Sequence, residues 1–174
     1  MHYLITGGAG FIGGHLTEAL LASGHRVTVI DNYSTGSPEN LARVADHPGL
    51  TLIEADILDC AETLENCIAA SDVVFHLAAA VGVELVVRDP VRTITTNVHG
   101  TENVLKLTAK YNRRVIVAST SEVYGKSTNP LFSETDDLLI GSPFHSRWSY
   151  ACSKLLDEFY VMAFHRSTGM PGTV

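Results

Sequence analysis

The stretch Thr6-Gly7-Gly8-Ala9-Gly10-Phe11-Ile12-Gly13 decides the fold, because it joins an apolar run at 2–6 to a helical pattern at 11–23. Gly7 permits a tight turn, Gly10 removes the Cβ that would collide with a pyrophosphate, and Gly13 lets the helix lie close on the sheet. The pattern predicts a strand, a turn and a helix that bind a dinucleotide. The expected contacts of this turn are Gly7, Gly10, Phe11, Ile12 and Gly13. An ordinary glycine turn is the alternative.

Acidic residues after the next two apolar runs indicate which dinucleotide is bound. Asp31 ends the run at 26–31, where a carboxylate accepts hydrogen bonds from ribose hydroxyls. Its charge repels a 2′-phosphate, and Asn32 follows it instead of a cation, so NAD is favoured over NADP. Asp56 follows the third run and is expected to bind the adenine amino group, or instead to cap the next helix. Asn32 and Ile57 are expected beside the cofactor.

Strand and helix patterns alternate along the whole chain. Strands are predicted at 2–6, 26–31, 50–54, 72–76 and 114–119, with long helices at 91–111 and 147–166 and an extended loop at 125–146. This alternation predicts one α/β domain over 1–174, a Rossmann-type doubly wound parallel sheet. The chain ends at 169–174, where the alternation calls for another strand, so we expect a sheet cut before its sixth strand.

The second long helix carries Tyr150 and Lys154 at a spacing that puts both on one face. An ammonium beside a phenol lowers its pKa, and a change from about 10 to about 7 needs about 4 kcal/mol, which we expect from this ammonium together with the positive charge of a nicotinamide. Tyr150 would then be a base near neutral pH. The alternative is that this spacing belongs to an ordinary amphipathic helix without a catalytic role. Its core-facing apolar residues are expected to be Leu155, Leu156, Phe159 and Phe164.

Hydroxyl side chains gather at the end of the fifth predicted strand, in Ala118-Ser119-Thr120-Ser121-Glu122-Val123-Tyr124-Gly125. Open α/β sheets bind their ligands at the carboxyl ends of the strands. A hydroxyl there is able to hydrogen-bond the substrate oxygen whose proton Tyr150 removes. Alternatively, these side chains only satisfy backbone groups at the strand end.

Composition excludes several classes of function. A formal charge of -7 and a pI near 5.5 oppose nucleic-acid binding, which depends on cationic contacts. The three cysteines lack the spacing of a disulfide framework or a zinc site, so no metal is expected. We find no pattern of a signal peptide or a membrane span, and therefore expect a cytoplasmic protein.

Six motifs together resemble the extended short-chain dehydrogenase/reductase family, in its nucleotide-sugar epimerase/dehydratase branch. They are Gly-Gly-Ala-Gly-Phe-Ile-Gly at 7–13, Asp31-Asn32, His76-Leu77-Ala78-Ala79, Asn97-x-x-Gly100-Thr101, Ser-Thr-Ser-Glu-Val-Tyr-Gly at 119–125 and Tyr150-x-x-x-Lys154. The resemblance implies that Tyr150 is the catalytic acid/base, Lys154 its electrostatic partner and ribose ligand, and Thr120 the active-site hydroxyl. It also implies that Leu77, Ala78, Ala79 and Asn97 line the cofactor cleft.

The same branch implies chemistry through a transient 4-keto sugar, after which the outcome is epimerisation, decarboxylation or dehydration. Dehydratases of the branch usually carry an Asp-Glu pair after the Thr, whereas this chain has Ser121 before Glu122. Dehydration is therefore disfavoured, and Glu122 is a fourth catalytic candidate unless it only caps or pairs locally. A UDP-sugar 4-epimerase is the first expectation and a UDP-glucuronate decarboxylase the alternative. A non-catalytic NAD sensor is the alternative of another class.

The resemblance also bears on partners and on the extent of the chain. The long segments 91–111 and 147–166 match the family's dimer-forming helices, so a homodimer is expected. The family's C-terminal substrate-binding domain, which grips the nucleotide-diphosphate sugar, is absent from these 174 residues. We therefore expect this polypeptide alone to bind NAD with little turnover.

Overall fold

A computed structural model describes all residues, 1–174, and its centre is one parallel sheet of six strands. The strands are β1 (His2–Thr6), β2 (Arg26–Asp31), β3 (Leu50–Glu54), β4 (Val73–His76), β5 (Arg114–Val117) and β6 (Gly172–Thr173). Their order across the sheet is β3-β2-β1-β4-β5-β6, and every pairing is parallel. The order reverses between β1 and β4, which confirms the doubly wound Rossmann-type fold.

The end of the chain differs from the expectation that it stops before a sixth strand. Gly172 and Thr173 pair in parallel with Val115 and Ile116 of β5, so the sixth strand is present for two residues. The preceding Gly169 has φ +75° and ends the last helix, which turns the backbone toward the sheet. The sequence pattern missed this strand because two residues are too few for a strand period to be read.

Five helices connect the strands and cover the sheet unequally. They are α1 (Phe11–Ala22), α2 (Ala61–Ala70), α3 (Val83–Arg88), α4 (Pro90–Lys110) and α5 (Trp148–Thr168). One face of the sheet packs against α2, α4 and α5, with Leu4, Val74 and Val115 in its core. The other face packs against α1 and a 3₁₀ turn at Pro38–Leu41, with Ile5 and Val29 in its core. Right-handed crossovers explain this division, because the chain changes face when the strand order reverses.

The buried face of α5 differs from the sequence expectation. Leu156 and Phe159 were expected in the core, but they are 41% and 64% exposed, whereas Leu155 and Phe164 are half-buried. The residues that α5 buries instead are Ala151, Ser153, Lys154, Asp157 and Val161. The apolar pattern misled here because α5 packs on α4 and the sheet through a face that carries polar side chains.

The core contains one fully buried histidine, His76, at the end of β4. Its Nδ1 lies 2.7 Å from Thr6 Oγ1, and its Nε2 lies 3.0 Å from Thr101 Oγ1. Burial lowers the pKa of His76 to about 3, and the charge of Lys154 acts in the same direction. The imidazole is therefore neutral, and its two hydrogen bonds join β1, β4 and α4. No helix of the structure has both the length and the apolar character that a membrane span requires.

We predict that His76 makes the fold sensitive to mild acid. In the unfolded chain an imidazole binds a proton below about pH 6.5, whereas in the folded chain His76 stays neutral down to about pH 3. The unfolded state then binds more protons than the folded state. As the pH is lowered through this window, the free energy of unfolding therefore decreases by at most about 1.4 kcal/mol per pH unit. Urea unfolding at several pH values between 7 and 4.5 measures this dependence of the unfolding free energy on pH.

The matched variants for this measurement are His76→Gln and His145→Gln, since His145 is exposed in the long loop. The His76→Gln protein should unfold at a lower urea concentration at pH 7. Its free energy of unfolding should depend less steeply on pH, because glutamine does not titrate. The second should keep the slope of the unchanged chain. An equal slope in the His76→Gln protein would contradict the assignment.

Candidate functional site

A cavity of about 460 Å³ opens at the carboxyl ends of the strands, where the sheet order reverses. Most of the expected site residues line it together: Gly7, Gly10, Phe11, Ile12, Gly13, Asp31, Asn32, Asp56, Ile57, Leu77, Ala78, Ala79, Tyr150 and Lys154. Residues from both ends of the chain therefore meet in one cleft. Three expected residues, Asn97, Thr120 and Glu122, lie outside its wall.

The glycine turn closes tightly against its neighbours. Gly7 has φ +74°, and a Cβ there would lie 2.6 Å from the backbone nitrogen of Ala78. A Cβ on Gly13 would lie 2.4 Å from the carbonyl oxygen of Gly7, which only glycine permits. Gly10 is different, since its Cβ would meet nothing nearer than that same oxygen at 3.3 Å. Side-chain space is thus missing inside the turn at Gly7 and Gly13 and is present on the cleft side at Gly10.

The amino terminus of α1 presents free backbone donors to the cleft. Its N-cap Gly10 provides no side-chain hydrogen bond, and its first turn holds no acidic residue. The first N–H groups of a helix have no partner within the helix, and together with the helix dipole they attract an anion. The turn thus creates a local positive potential in a chain of formal charge -7. A phosphate group fits this end of the cleft.

Asp31 connects the glycine turn to the end of β2. Its Oδ2 accepts a hydrogen bond of 2.9 Å from the Ala9 backbone nitrogen, and its Oδ1 accepts one of 2.8 Å from Tyr33. The side chain is buried yet borders the cavity. Each carboxylate oxygen has further acceptor capacity for a ribose hydroxyl. The carboxylate therefore supports the turn and keeps acceptor capacity at the border of the cavity.

Asp56 and Asn32 form a second polar pair at the same end of the cavity. The Asn32 side-chain amide donates to Asp56 Oδ2 over 2.7 Å, and Asp56 Oδ1 accepts from the Leu58 nitrogen over 2.9 Å. The α2 helix itself begins after Cys60, so Asp56 caps the turn before it rather than the helix. Asp56 lines the cavity as well, so the local role and the ligand role are compatible.

The resemblance assigned Asn97 to the wall of the cleft, but the residue lies one layer behind that wall. Its Oδ1 accepts from the Ala80 nitrogen over 2.7 Å, and its Nδ2 donates to Ser153 Oγ over 2.9 Å. Ser153 Oγ in turn donates to the Tyr150 carbonyl over 2.8 Å. The side chain is fully buried. Asn97 therefore joins the loop after β4 to the helix that carries Tyr150.

Lys154 contacts a carboxylate that the sequence analysis did not single out. Its Nζ donates to Asp157 Oδ2 over 2.8 Å, and the two side chains are only 4% and 1% exposed. Burial raises the pKa of Asp157, while Lys154 and the Thr101 hydroxyl oppose that increase. The ammonium is thus paired on the core side of α5.

The groups of the chain alone raise the pKa of Tyr150. Burial raises its pKa above 10, the carboxylates of Glu122 and Asp157 raise it further, and hydrogen bonding to Thr120 opposes the increase. The expected decrease combined the charge of Lys154 with that of a nicotinamide, whereas the charges that act on the phenol within the chain alone are those of Glu122 and Asp157. Tyr150 here is a protonated phenol.

Glu122 lies in the 3₁₀ turn Ser121–Tyr124 that follows β5, and Thr120 is the N-cap residue of this turn. The Thr120 hydroxyl accepts from the Glu122 nitrogen over 3.3 Å, so it caps this turn, as the alternative reading allowed. Thr120 also lines a second cavity of about 800 Å³, with Ser119 at the border of both cavities. The Ser119 hydroxyl donates to Glu158 there. Glu122 is exposed beside this region.

Several lining residues were not anticipated from the sequence. They are Ile30, Ser34, Thr35, Gly36, Ala55, Val81 and Thr96, whereas the lining residues Ala118 and Ser119 belong to the hydroxyl cluster expected after the fifth strand. The signal for part of this set was present, because Gly36 follows two hydroxyl residues soon after Asp31. A Cβ on Gly36 would lie 2.8 Å from the Ala9 carbonyl oxygen, so glycine is needed for this loop to lie on the turn. No cluster of His, Cys, Asp and Glu side chains that would hold a metal is found in the structure.

Comparison with known proteins agrees with this geometry. A family model described as GDP-mannose 4,6 dehydratase matches residues 4–174. A UDP-N-acetyl-alpha-D-glucosaminuronate decarboxylase of Bacillus cytotoxicus is 43% identical over 171 residues, which cover 98% of this chain and 52% of the relative. UDP-glucuronic acid decarboxylase 1 of Arabidopsis thaliana is 36% identical over 172 residues, covering 98% of this chain and 38% of the relative.

A solved structure extends the comparison to bound ligands. UDP-glucuronic acid 4-epimerase from Bacillus cereus, in complex with UDP-glucuronic acid and NAD, is 30% identical with a TM-score of 0.87. The match covers 99% of this chain and 55% of that one, so the chain spans about half the length of these proteins or less. The resemblance to nucleotide-sugar epimerases and dehydratases is confirmed. The chain belongs to the GDP-mannose 4,6-dehydratase family.

Proposed function

We propose that this chain is the cofactor-binding and proton-transferring part of an NAD-dependent enzyme that modifies a UDP-sugar through a transient 4-keto sugar. The observation that carries the proposal is the single cleft in which Asp31 and the glycine turn face Tyr150 and Lys154. A binding-only sensor needs Asp31 and the glycine turn but has no use for Tyr150 and Lys154. The reaction we propose is decarboxylation of a UDP-hexuronic acid.

NAD fits the residues of the cleft. The open space above Gly10 and the uncapped start of α1 suit a pyrophosphate, and Asp31 suits a ribose with free hydroxyls. Asn32, Asp56 and Ile57 border the adenine end, and Tyr150 and Lys154 the nicotinamide end. When bound, NAD supplies reversible acceptance of a hydride from carbon.

The chain's own residues supply the proton chemistry. Tyr150 takes the proton of the sugar hydroxyl that is oxidised and later returns a proton. Thr120 is near enough to Tyr150 to share a hydrogen bond with it, and it borders the second cavity, where we place the sugar. The raised pKa of Tyr150 means that binding must add positive charge, or remove negative charge, near the phenol before it acts as a base.

Decarboxylation is favoured over 4-epimerisation, which reverses the order expected from the sequence. The support comes from the two decarboxylases, which match over 98% of this chain. A C4 ketone makes a C6 carboxylate a β-keto acid, and such acids lose carbon dioxide without a further acid at position 121. Epimerisation remains the second candidate, because a 4-epimerase of the same fold binds the same kind of uronic acid.

We predict that Gly10→Ala separates cofactor binding from folding. The new methyl group would lie 3.3 Å from the Gly7 carbonyl oxygen, a tight contact that a small shift relieves, so the free energy of unfolding should change by less than about 1 kcal/mol. It would occupy the pyrophosphate position, so NADH affinity should fall by at least tenfold, as measured by fluorescence titration. NADPH is the control ligand and should bind weakly to the unchanged chain, because Asp31 opposes its 2′-phosphate.

Gly13→Ala is the matched variant for this prediction. Its methyl group would lie 2.4 Å from the Gly7 carbonyl oxygen, so this protein should be less stable by about 1–3 kcal/mol. Normal NADH binding by the Gly10→Ala protein would contradict the assigned pyrophosphate site.

We predict that the chain releases carbon dioxide from UDP-hexuronic acids labelled at C6. UDP-glucuronic acid and UDP-N-acetylglucosaminuronic acid are incubated with NAD, and labelled gas and products are measured by scintillation counting and mass spectrometry. Release should exceed that of the Tyr150→Phe protein, although the rate is expected to be low. Equal release from the two proteins, or a 4-epimer formed without loss of carbon, would contradict decarboxylation.

We propose a homodimer that packs through the outer faces of α4 and α5. These faces carry exposed apolar residues in two stripes, namely Val91, Ile94, Leu156, Phe159 and Met162. Phe159→Asp should therefore convert a dimer to a monomer, as measured by sedimentation and light scattering. Phe144→Asp is the control, because Phe144 is 95% exposed in the long loop. A chain that is monomeric at high concentration would exclude this dimer.

A further inference from the structure

Asp157 is the most deeply buried carboxylate near the cleft, and the proposed chemistry does not use it. It is 1% exposed, does not line the cavity, and has one oxygen, Oδ1, without a hydrogen-bond partner. The Thr101 hydroxyl contacts His76 Nε2 over 3.0 Å, and it lies near enough to Asp157 to lower the pKa of this carboxyl group. A buried ion with an unmet oxygen is costly, so its retention requires a reason beyond packing.

The reason lies in what Asp157 does to Lys154. Lys154 lines the same cavity as Tyr150, yet its Nζ lies 2.8 Å from Asp157 Oδ2, on the core side of α5. An ammonium and a carboxylate at this distance present little net charge to a third group. Lys154 and Tyr150 are one turn apart, so without Asp157 the ammonium would act on the phenol with no carboxylate paired to it.

We propose that Asp157 is a positioning residue that holds the Lys154 ammonium toward the core and cancels its charge, so that Tyr150 keeps its proton while the cleft is empty. The inference rests on the proposed function only in naming Tyr150 as the base. It assigns Asp157 a regulatory role at that base, since the phenol becomes reactive only when a ligand draws Lys154 away or adds positive charge.

The other groups around Tyr150 do not supply this cancellation. Glu122, from the 3₁₀ turn after β5, raises the pKa of Tyr150, but it has no ion pair with Lys154. Glu158, on α5, accepts from Ser119 instead. From β4, His76 is neutral, and α4 presents the uncharged Thr96, Asn97 and Thr101. Asp157 is therefore the carboxylate that sets the charge of Lys154 as Tyr150 experiences it.

The test is a double-mutant cycle read at Tyr150 in the cofactor-free protein. Tyrosine labelled with ¹³C at Cζ is titrated by NMR, and Tyr150→Phe identifies its signal among the six tyrosines. Asp157→Asn keeps an acceptor for the ammonium but removes the negative charge, so the Tyr150 midpoint should fall by about one pH unit. Lys154→Met leaves the carboxylate unopposed, so the midpoint should rise by about one unit.

The double variant Lys154→Met/Asp157→Asn should titrate like the unchanged chain, within about 0.3 units, because both charges are gone. A purely structural role for Asp157 would not move the two single variants in opposite directions. Replacement of a buried ion pair by uncharged residues is often tolerated, so the double variant serves even where a single variant fails to fold. In that case the Tyr150 midpoint of the double variant decides alone. A displacement of a full pH unit from the midpoint of the unchanged chain overturns the proposal.

Glu102→Gln is the control, because Glu102 pairs over 2.8 Å with Lys106 on the outer part of α4. It should leave the Tyr150 midpoint unchanged. An unchanged or higher midpoint in the Asp157→Asn protein would overturn the role of Asp157. The titration uses neither NAD nor sugar, so its failure leaves the cofactor-binding result intact, and a failure of NADH binding leaves the titration intact.

Discussion

The close approach of β1, α1 and β2 at the glycine turn is the constraint on which the rest of the structure depends. Gly13 lies against the Gly7 carbonyl, and Asp31 accepts a hydrogen bond from the Ala9 nitrogen. These contacts hold the start of α1 at the end of the sheet with its donors uncovered. A side chain at Gly13 would push the helix away from the turn, and one at Gly7 would push away the loop after β4, so both the core and the cleft would open.

The reversal of strand order beside this turn brings the two ends of the chain into one cleft. Because β4 lies next to β1, the loop after β4 and the amino-terminal part of α5 face the glycine turn. Asn97 reinforces this arrangement by joining Ala80 to Ser153. The helix that carries Tyr150 must then keep polar residues on its buried face, and its larger apolar residues are left on the outside.

Much of the fold could be predicted from the chain itself, since apolar periods and glycine punctuation are local properties. The first five strands and the long helices lie within a few residues of their expected bounds. The prediction was wrong for Leu156 and Phe159, because an apolar period reveals which residues share a face but not which neighbour covers it. It was incomplete for Asp157, whose importance arises only from its place beneath Lys154.

The sequence by itself determined the glycine turn, the acidic residue at the end of β2, and the spacing of Tyr150 and Lys154, because each depends on residues close in the chain. Only the tertiary structure decided where the Lys154 ammonium points, how high the pKa of Tyr150 lies, and that Asn97 supports the cleft from behind. Burial and the balance of nearby charges depend on elements far apart in sequence. A motif names the reacting groups, and packing sets their protonation.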